Sequence, residues 1–459
     1  MNKFNKSYIF GISMVSAMGG LLFGYDWVVI GGAKPFYERF FDIAQSTNLQ
    51  AWAMSCALIG CVIGAVISGV VSDQFGRKWP LLVSAFLFTI ASLGTGMAIN
   101  YNMFVIFRIT GGIGIGLASA LSPMYIAEVA PTHLRGRFVS LNQMTIVIGI
   151  LAAQVINLLI AQKVPVGATD EFIRMSWNGQ IGWRWMFYAC AFPAGAFFLL
   201  TFFLPESPRW LIKAGKAEKA FPTLNKIGGE EYALQEMANI QATLDDVSEK
   251  VDFKAILNPK YRSILIIGVV LAVFQQWCGI NTVFNYAEEI FTTAGYGVSD
   301  TLFNIVITGS VNLIFTLVAM FTVDNWGRKK LMVFGSIGLA ITYILLGSAF
   351  YFQLQGIAVL SLVVIAIGIY AMSLAPITWV ILSEIFPNRI RGAAMALATF
   401  GLWIACFVLT YTFPLLNKGL GAAGTFWVYA AICLLGFIFI LRKLPETKGK
   451  SLEEIEKLI

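Results

Sequence analysis

Charged residues are scarce in this sequence. Only 12% of its 459 residues are Asp, Glu, Lys or Arg, whereas 58% are hydrophobic and the mean hydropathy is +0.75. A chain with so little polar surface cannot be an ordinary soluble protein. The composition therefore indicates a protein whose solvent is a lipid bilayer.

Several motifs of enzymes and metal proteins are also missing. The single histidine, His133, has no partners at metal-site spacing, and the six cysteines form no disulfide pattern. We find no Walker motif and no nucleophile–base pair, which argues against a primary pump and a membrane enzyme. The glycine run GGIGIG at 111–116 lacks dinucleotide-binding spacing, and we expect it to let helices approach closely. We therefore expect no cofactor and no metal.

Long apolar runs are what the sequence has in abundance. A membrane-spanning helix needs about 20 mostly apolar residues. The runs are apolar all round, whereas the strands of a β-barrel would alternate. We predict an all-α membrane protein with twelve spans, over residues 8–32, 51–72, 80–100, 102–127, 137–161, 183–204, 262–292, 299–323, 329–352, 355–385, 389–416 and 422–442.

The basic residues between these spans are distributed unequally. Cytoplasmic loops are enriched in Lys and Arg. With an inside N-terminus, the side opposite the cytoplasm keeps only Lys34, Arg39, Lys163, Arg174, Arg184 and Lys418. We therefore predict that both termini are cytoplasmic. The net charge of +7 then reflects topology, and no nucleic-acid partner is indicated.

Three loop motifs occur twice. DQFGRK (73–78) returns as DNWGRK (324–329), EVAPTHLRG (128–136) as EIFPNRIRG (384–392), and PESPRW (205–210) as PETKGK (445–450). Repeated units of this size are typical of transporters. We predict an N-terminal six-helix bundle over 1–204, a polar linker over 205–261, a C-terminal bundle over 262–442 and a tail over 443–459.

Two opposite charges stand alone in apolar sequence. Asp26 lies in GGLLFGYDWVVIGG (19–32), and Arg108 lies in FRITGGIGIG (107–116). Each charge alone would be costly in a membrane, so we expect the two to pair. The residues themselves leave a structural salt bridge and a proton-handling pair equally open.

The seventh span is rich in amides, with Gln275, Gln276, Asn281 and Asn285. On an unbroken helix Gln276 and Asn281 would lie about 140° apart. Gly279 can let the helix unwind and bring them to one ligand. Amides that only join helices by hydrogen bonds are the alternative. In the tenth span, we expect Pro376 to bend the helix at the level of Trp379.

The repeated motifs, together with FQQWCGIN (274–281), resemble the sugar-porter branch of the major facilitator superfamily. The likeness is greatest to bacterial D-xylose–proton symporters, with mammalian facilitative glucose carriers more distant. It extends over essentially the whole chain. It implies two pseudo-symmetric six-helix bundles, a central cavity that opens alternately to each side, and short cytoplasmic helices in the linker.

The resemblance also implies roles for individual residues. Asp26 would couple a proton, with Arg108 as its partner, since symporters of this branch have Asp there and facilitative carriers have Asn. This chain departs from the xylose symporters at Ile150, Leu402, Asn285 and Ala375, which puts the identity of the sugar in doubt. The expected substrate contacts are Gln143, Gln275, Gln276, Asn281, Asn312, Trp379 and Trp403, with Phe23 lining the cavity; the expected cytoplasmic gate charges are Arg77, Glu128, Arg135, Arg328, Glu384 and Arg391.

We therefore expect a monomeric transporter of the bacterial inner membrane, surrounded by lipid. It would carry a monosaccharide, a D-xylose-like pentose or a hexose, into the cell together with a proton by alternating access. Two alternatives stay open. A facilitative uniporter is mildly favoured by Ile150, and a non-transporting sugar sensor belongs to a different class.

Overall fold

The computed structural model describes residues 4–165, 167–246, 259–387 and 390–446, and the regular structure within these ranges is helical. In the first half of the chain the helices are α1 Lys6–Phe40, α2 Thr47–Phe75, α3 Lys78–Gly96, α4 Tyr101–Val129, α5 Arg135–Ile160, α6 Asp170–Met175 and, after a short π-helix at Asn178–Gly182, α7 Trp183–Thr201. Short helices then follow at α8 Pro208–Lys213, α9 Ala217–Gly228 and α10 Glu230–Asp246.

The second half of the chain contains eight further helices among the described residues. A 3₁₀ turn at Pro259–Tyr261 precedes them. They are α11 Arg262–Trp277, α12 Ile280–Asn285, α13 Ala287–Thr293, α14 Val298–Trp326, α15 Arg328–Tyr351, α16 Ile357–Met372, α17 Leu374–Ile385 and α18 Arg391–Lys443.

The described helices account for the predicted spans. Ten helical segments are long and apolar enough to cross a membrane, and two of them, Pro259–Asn285 and Ile357–Leu382, join shorter helices. One of these is α18, which holds two spans, because Gly421 interrupts it with φ 68° and ψ 173°. With the second span of α18, and with α7 as a further span, the twelve predicted spans are confirmed.

The end of the first span and the position of the break in the tenth span differ from the predictions. Helix α1 continues eight residues beyond the predicted end at 32, through Lys34 and Glu38 to Phe40. These two charges pair with each other one turn apart, so they do not end the helix. In the tenth span the break lies at Ser373, with φ −129° and ψ −87°, and not at the level of Trp379. Pro376 clashes with the carbonyl four residues earlier, so it interrupts the helix on its N-terminal side.

The chain divides into two compact units. The first comprises Met1–Asp26, Ile59–Ile150 and Phe187–Lys250, and the second comprises Trp27–Leu58, Leu151–Met186 and Val251–Ile459. In the first unit the short helices of the linker have their own apolar core. It joins Ile9 to Leu224, Ile227 and Ala233, with Tyr232 packed against it. Helices α9 and α10 are therefore packed against the start of α1. The four-part domain division remains a prediction.

Glycines bring α2 and α4 into close contact in the first unit. A side chain on Gly60 would collide with the carbonyl of Ile109, and one on Gly116 would collide with the carbonyl of Cys61. Helices can approach to this distance only where small residues face each other. The interpretation of GGIGIG as a close-packing segment is confirmed.

This contact predicts that Gly116→Ala destabilises the protein. The added methyl group would meet rigid backbone, and such overpacking costs about 1–3 kcal/mol. The matched control is Gly195→Ala, since no atom lies within 4 Å of a Cβ at that helical glycine. Thermal unfolding in detergent should show a lower Tm for Gly116→Ala than for Gly195→Ala. Equal values would contradict the packing account.

Candidate functional site

Asp26 and Arg108 form a buried ion pair between α1 and α4. Arg108 Nη1 donates to Asp26 Oδ1 at 2.7 Å, and the two residues are only 6% and 4% exposed. The second carboxylate oxygen, Asp26 Oδ2, is buried and has no hydrogen-bond partner among the described residues. The Phe187 ring centre lies 5.8 Å from the guanidinium carbon. The predicted pairing is confirmed, and it engages only one of the two carboxylate oxygens of Asp26.

The glycines before Asp26 place α1 close to α5. A side chain on Gly24 would collide with the backbone carbonyl of Ile146 on α5. In the same contact, Thr145 Oγ1 donates to the carbonyl of Ala17 at 2.7 Å. The run GGLLFGYDW thus packs a small-residue face against α5 and presents Asp26 to α4.

The seventh span is broken where the sequence indicated. Helix α11 ends at Trp277 and α12 begins at Ile280, and Gly279 between them has a left-handed φ of 87°. A Cβ on Gly279 would lie 2.7 Å from the ring of Tyr429. Both its backbone conformation and its surroundings require glycine there.

This break joins three amides in a chain of hydrogen bonds. Asn281 Nδ2 donates to Gln276 Oε1, and Gln276 Nε2 donates to Gln275 Oε1 at 3.1 Å. Gln275 Nε2 in turn donates to the carbonyl of Ala375 on α17 at 3.3 Å. Gln275 and Gln276 are 4% and 6% exposed. The break thus brings together residues that a continuous helix would separate.

The other predicted substrate residues are spread over several helices. In the second unit Asn312 on α14 and Trp403 on α18 are buried, whereas Trp379 on α17 is 38% exposed. The Trp403 ring centre lies 6.2 Å from that of Trp27. In the first unit Gln143 and Phe23 are half-buried. Among the predicted substrate contacts, Gln275, Gln276 and Asn281 are directly connected to one another by hydrogen bonds.

The first GRK loop carries a dense charge network. Arg77 binds Glu128 through two hydrogen bonds, Nε to Oε2 at 2.9 Å and Nη2 to Oε1 at 2.8 Å. Ser207 Oγ also donates to Glu128. Glu206 accepts from the backbone N–H of Arg77 at 2.8 Å and so caps the start of α3. Gly76, with φ 84°, leaves the space that the Glu206 carboxylate occupies.

The second GRK loop repeats this arrangement with a longer ion pair. Arg328 Nη2 lies 3.2 Å from Glu384 Oε1. Glu446 accepts from the backbone N–H of Arg328 at 2.9 Å, and Gly327, with φ 89°, makes room for it. Of the remaining predicted gate charges, Arg135 is exposed at the start of α5, and the side chain of Arg391 lies outside the described residues.

Sequence analysis missed the two capping glutamates. Glu206 and Glu446 occupy the same position of the repeated Pro-Glu motifs, at 205–206 and 445–446. The repetition of that dipeptide was the signal that could have identified them. It also missed Lys34 and its carboxylate neighbours, because a hydropathy pattern treats each charge separately.

Twelve spanning helices in a sequence with duplicated motifs, together with a buried acid–base pair and a buried chain of amides, define a membrane transport protein of the major facilitator fold. Residues 12–459 match the family model for sugar (and other) transporters. The chain belongs to this sugar transporter family.

Individual relatives and a solved structure are similar over the whole length. The chain is 40% identical to the D-xylose-proton symporter of Escherichia coli (strain K12), with 99% of this chain and 96% of the relative covered. It is also 40% identical, with the same coverage, to the arabinose-proton symporter of Bacillus subtilis (strain 168). The inward open structure of the xylose transporter XylE from E. coli matches with a TM-score of 0.86 at 39% identity, covering 98% of this chain and 100% of that one.

The two charge networks predict unequal effects of the same substitution. Arg77→Lys replaces a planar fork by a point charge and removes one of the two bonds to Glu128, at a cost of about 1.5–3 kcal/mol. Arg328→Lys is the matched control, because that pair is longer. Thermal unfolding in detergent should show the greater loss for Arg77→Lys. A greater loss for Arg328→Lys would contradict the comparison.

Proposed function

We propose that this protein is a proton-coupled symporter that carries a monosaccharide across the bacterial inner membrane into the cell. The observation that carries the proposal is the buried Asp26–Arg108 pair, in which Asp26 Oδ2 has no hydrogen-bond partner in the part of the chain that the structure describes. Relatives that are 40% identical over nearly the whole chain are proton symporters of D-xylose and arabinose. They support a pentose as the substrate.

Coupling follows from the charge of the pair. When Asp26 is ionised, its attraction to Arg108 holds α1 against α4. A proton on Oδ2 neutralises the carboxylate and removes most of that attraction, so the helices are free to rearrange. An inward proton gradient then biases alternating access towards accumulation of sugar.

Sugar recognition is assigned to the amide chain. A monosaccharide is a ring of hydroxyl groups, and each amide offers both a donor and an acceptor. Hydroxyl groups can replace the bonds that Gln275, Gln276 and Asn281 make with one another. Gln143, Asn312, Trp379, Trp403 and Phe23 would complete the site as the family resemblance implies. The apolar Ile150 and Leu402 leave fewer polar contacts, which fits a small sugar.

The charge networks of the two GRK loops are assigned to a cytoplasmic latch. In this topology both termini are cytoplasmic, and the loops before α3 and α15 lie on that side. Breaking buried pairs such as Arg77–Glu128 costs several kcal/mol, enough to bias a conformational equilibrium. Because one chain contains both repeats, we expect the transporter to work as a monomer in the lipid bilayer.

Asp26→Asn tests coupling. The substitution keeps the size of the side chain and removes the titratable group. In proteoliposomes with an imposed inward pH gradient, the unaltered protein should accumulate D-xylose or L-arabinose together with protons. Asp26→Asn should keep sugar exchange between the two sides and lose accumulation. Equal accumulation by both proteins would refute the coupling role, and accumulation by neither, with exchange intact, would favour a uniporter.

Gln275→Ala tests the sugar site. It removes hydrogen bonds that a sugar would receive, so affinity for D-xylose should fall by about tenfold or more, the equivalent of one hydrogen bond of about 1.4 kcal/mol. Gln355→Ala is the matched control, because that glutamine is exposed. Calorimetric titration of the purified full-length proteins, after gel filtration has confirmed folding, measures the difference. Undiminished affinity in Gln275→Ala would contradict the assignment.

A further inference from the structure

A second buried charge cluster lies at the far end of α1. The ammonium group of Lys34 is 2.7 Å from Glu289 Oε1, 3.4 Å from Glu288 Oε2 and 3.4 Å from Glu38 Oε1. Lys34 is 3% exposed, Glu38 is 4% exposed and Glu288 is 8% exposed. One basic and three acidic groups thus share a largely buried site.

The charges of this cluster do not balance. With every group ionised, the four side chains would carry a net charge of −2, and uncompensated buried charge costs several kcal/mol. A metal ion is a poor candidate to supply the missing positive charge. The described residues contain no group of three or more side chains placed to hold a metal, and the Lys34 ammonium already lies among the carboxylates. A proton on one carboxylate is the remaining way to reduce the imbalance.

The neighbouring titratable groups do not supply that charge. Tyr37 on α1 donates to the sulfur of Met54, and Tyr286 before α13 donates to the carbonyl of Thr410. Arg39 is paired with Asp170 at 2.7 Å. The cluster must therefore balance its own charge.

Glu38 is the carboxylate best placed to hold the proton. Glu289 makes the shortest contact with Lys34 and remains 19% exposed at its side chain, whereas the Glu38 side chain is only 6% exposed. Glu38 Oε1 is buried without a hydrogen-bond partner among the described residues. An ionised carboxylate is least stable in the driest position with the fewest hydrogen bonds.

We propose that Lys34, Glu38, Glu288 and Glu289 form a second proton-binding site, distinct from Asp26, in which protonated Glu38 lets α1 pack against α13. Loss of the proton leaves Glu38 facing two other carboxylates, and their repulsion separates the two helices. Helix α13 follows the broken seventh span directly, so this proton also acts on the position of the amide chain. The effect on sugar exchange depends on the proposed symport function; proton binding itself does not.

Infrared difference spectroscopy on the full-length protein in detergent tests the site directly. Spectra at mildly acidic and neutral pH report the C=O band of a protonated carboxylic acid. In the Asp26→Asn background, which removes the other buried acid of α1, this band should persist. It should disappear in Asp26→Asn/Glu38→Gln and remain in Asp26→Asn/Glu171→Gln, where an exposed glutamate is changed. Absence of the band in Asp26→Asn, or its survival in Asp26→Asn/Glu38→Gln, would overturn the proposal.

Sugar exchange provides a second readout. In proteoliposomes with equal pH on both sides, D-xylose exchange by Asp26→Asn should vary with pH, by up to about tenfold per pH unit for a single titrating group. Adding Glu38→Gln should remove this dependence, and adding Glu38→Asp, which keeps an acid, should restore it. Exchange that varies equally in all three would overturn the proposal. If no variant exchanges sugar but the infrared band behaves as expected, the symport function fails and the proton site stands.

Discussion

A charge within a membrane needs a partner, and this requirement governs the helix that opens the chain. Helix α1 carries Asp26 in its middle and Lys34 and Glu38 near its end, and none of these residues is more than 6% exposed. Asp26 is paired with Arg108 in the first unit, and Lys34 with Glu288 and Glu289 in the second. Under the roles proposed for these acids, each pairing would make the position of α1 depend on the protonation of an acid.

Backbone groups that are freed where a helix is broken also need hydrogen-bond partners within the membrane. The seventh span is interrupted at Gly279 and the tenth at Ser373, and interruption frees groups that a continuous helix would satisfy. Gln275 Nε2 bonds the carbonyl of Ala375, two residues beyond the second break. One side chain thus links the two broken spans, so a ligand that takes this amide changes a contact between helices. In the proposed sugar site, the hydrogen bond from Gln275 to Ala375 would connect substrate binding to helix movement.

Features of the fold and of the candidate site could be predicted from the sequence where a short stretch of residues indicates them. The twelve spans, the Asp26–Arg108 pairing and the break at Gly279 followed from apolar length, lone charges and a glycine between amides. The extension of α1 did not, because the partners that offset the cost of burying Lys34 include Glu288 and Glu289, which are distant in the sequence. The break at Ser373 was placed too late in the chain, since the effect of Pro376 on the helix lies upstream of the proline. The roles of the sugar-contacting residues remain predictions.

The repeated loops show that a duplicated motif need not give duplicated strength. In both halves a left-handed glycine makes room for a glutamate, which caps the helix that follows. Yet Arg77 forms two short bonds to Glu128, which also binds Ser207, whereas the Arg328–Glu384 distance is 3.2 Å. The capping device and an arginine–glutamate ion pair are thus common to both repeats, and the two ion pairs differ in length.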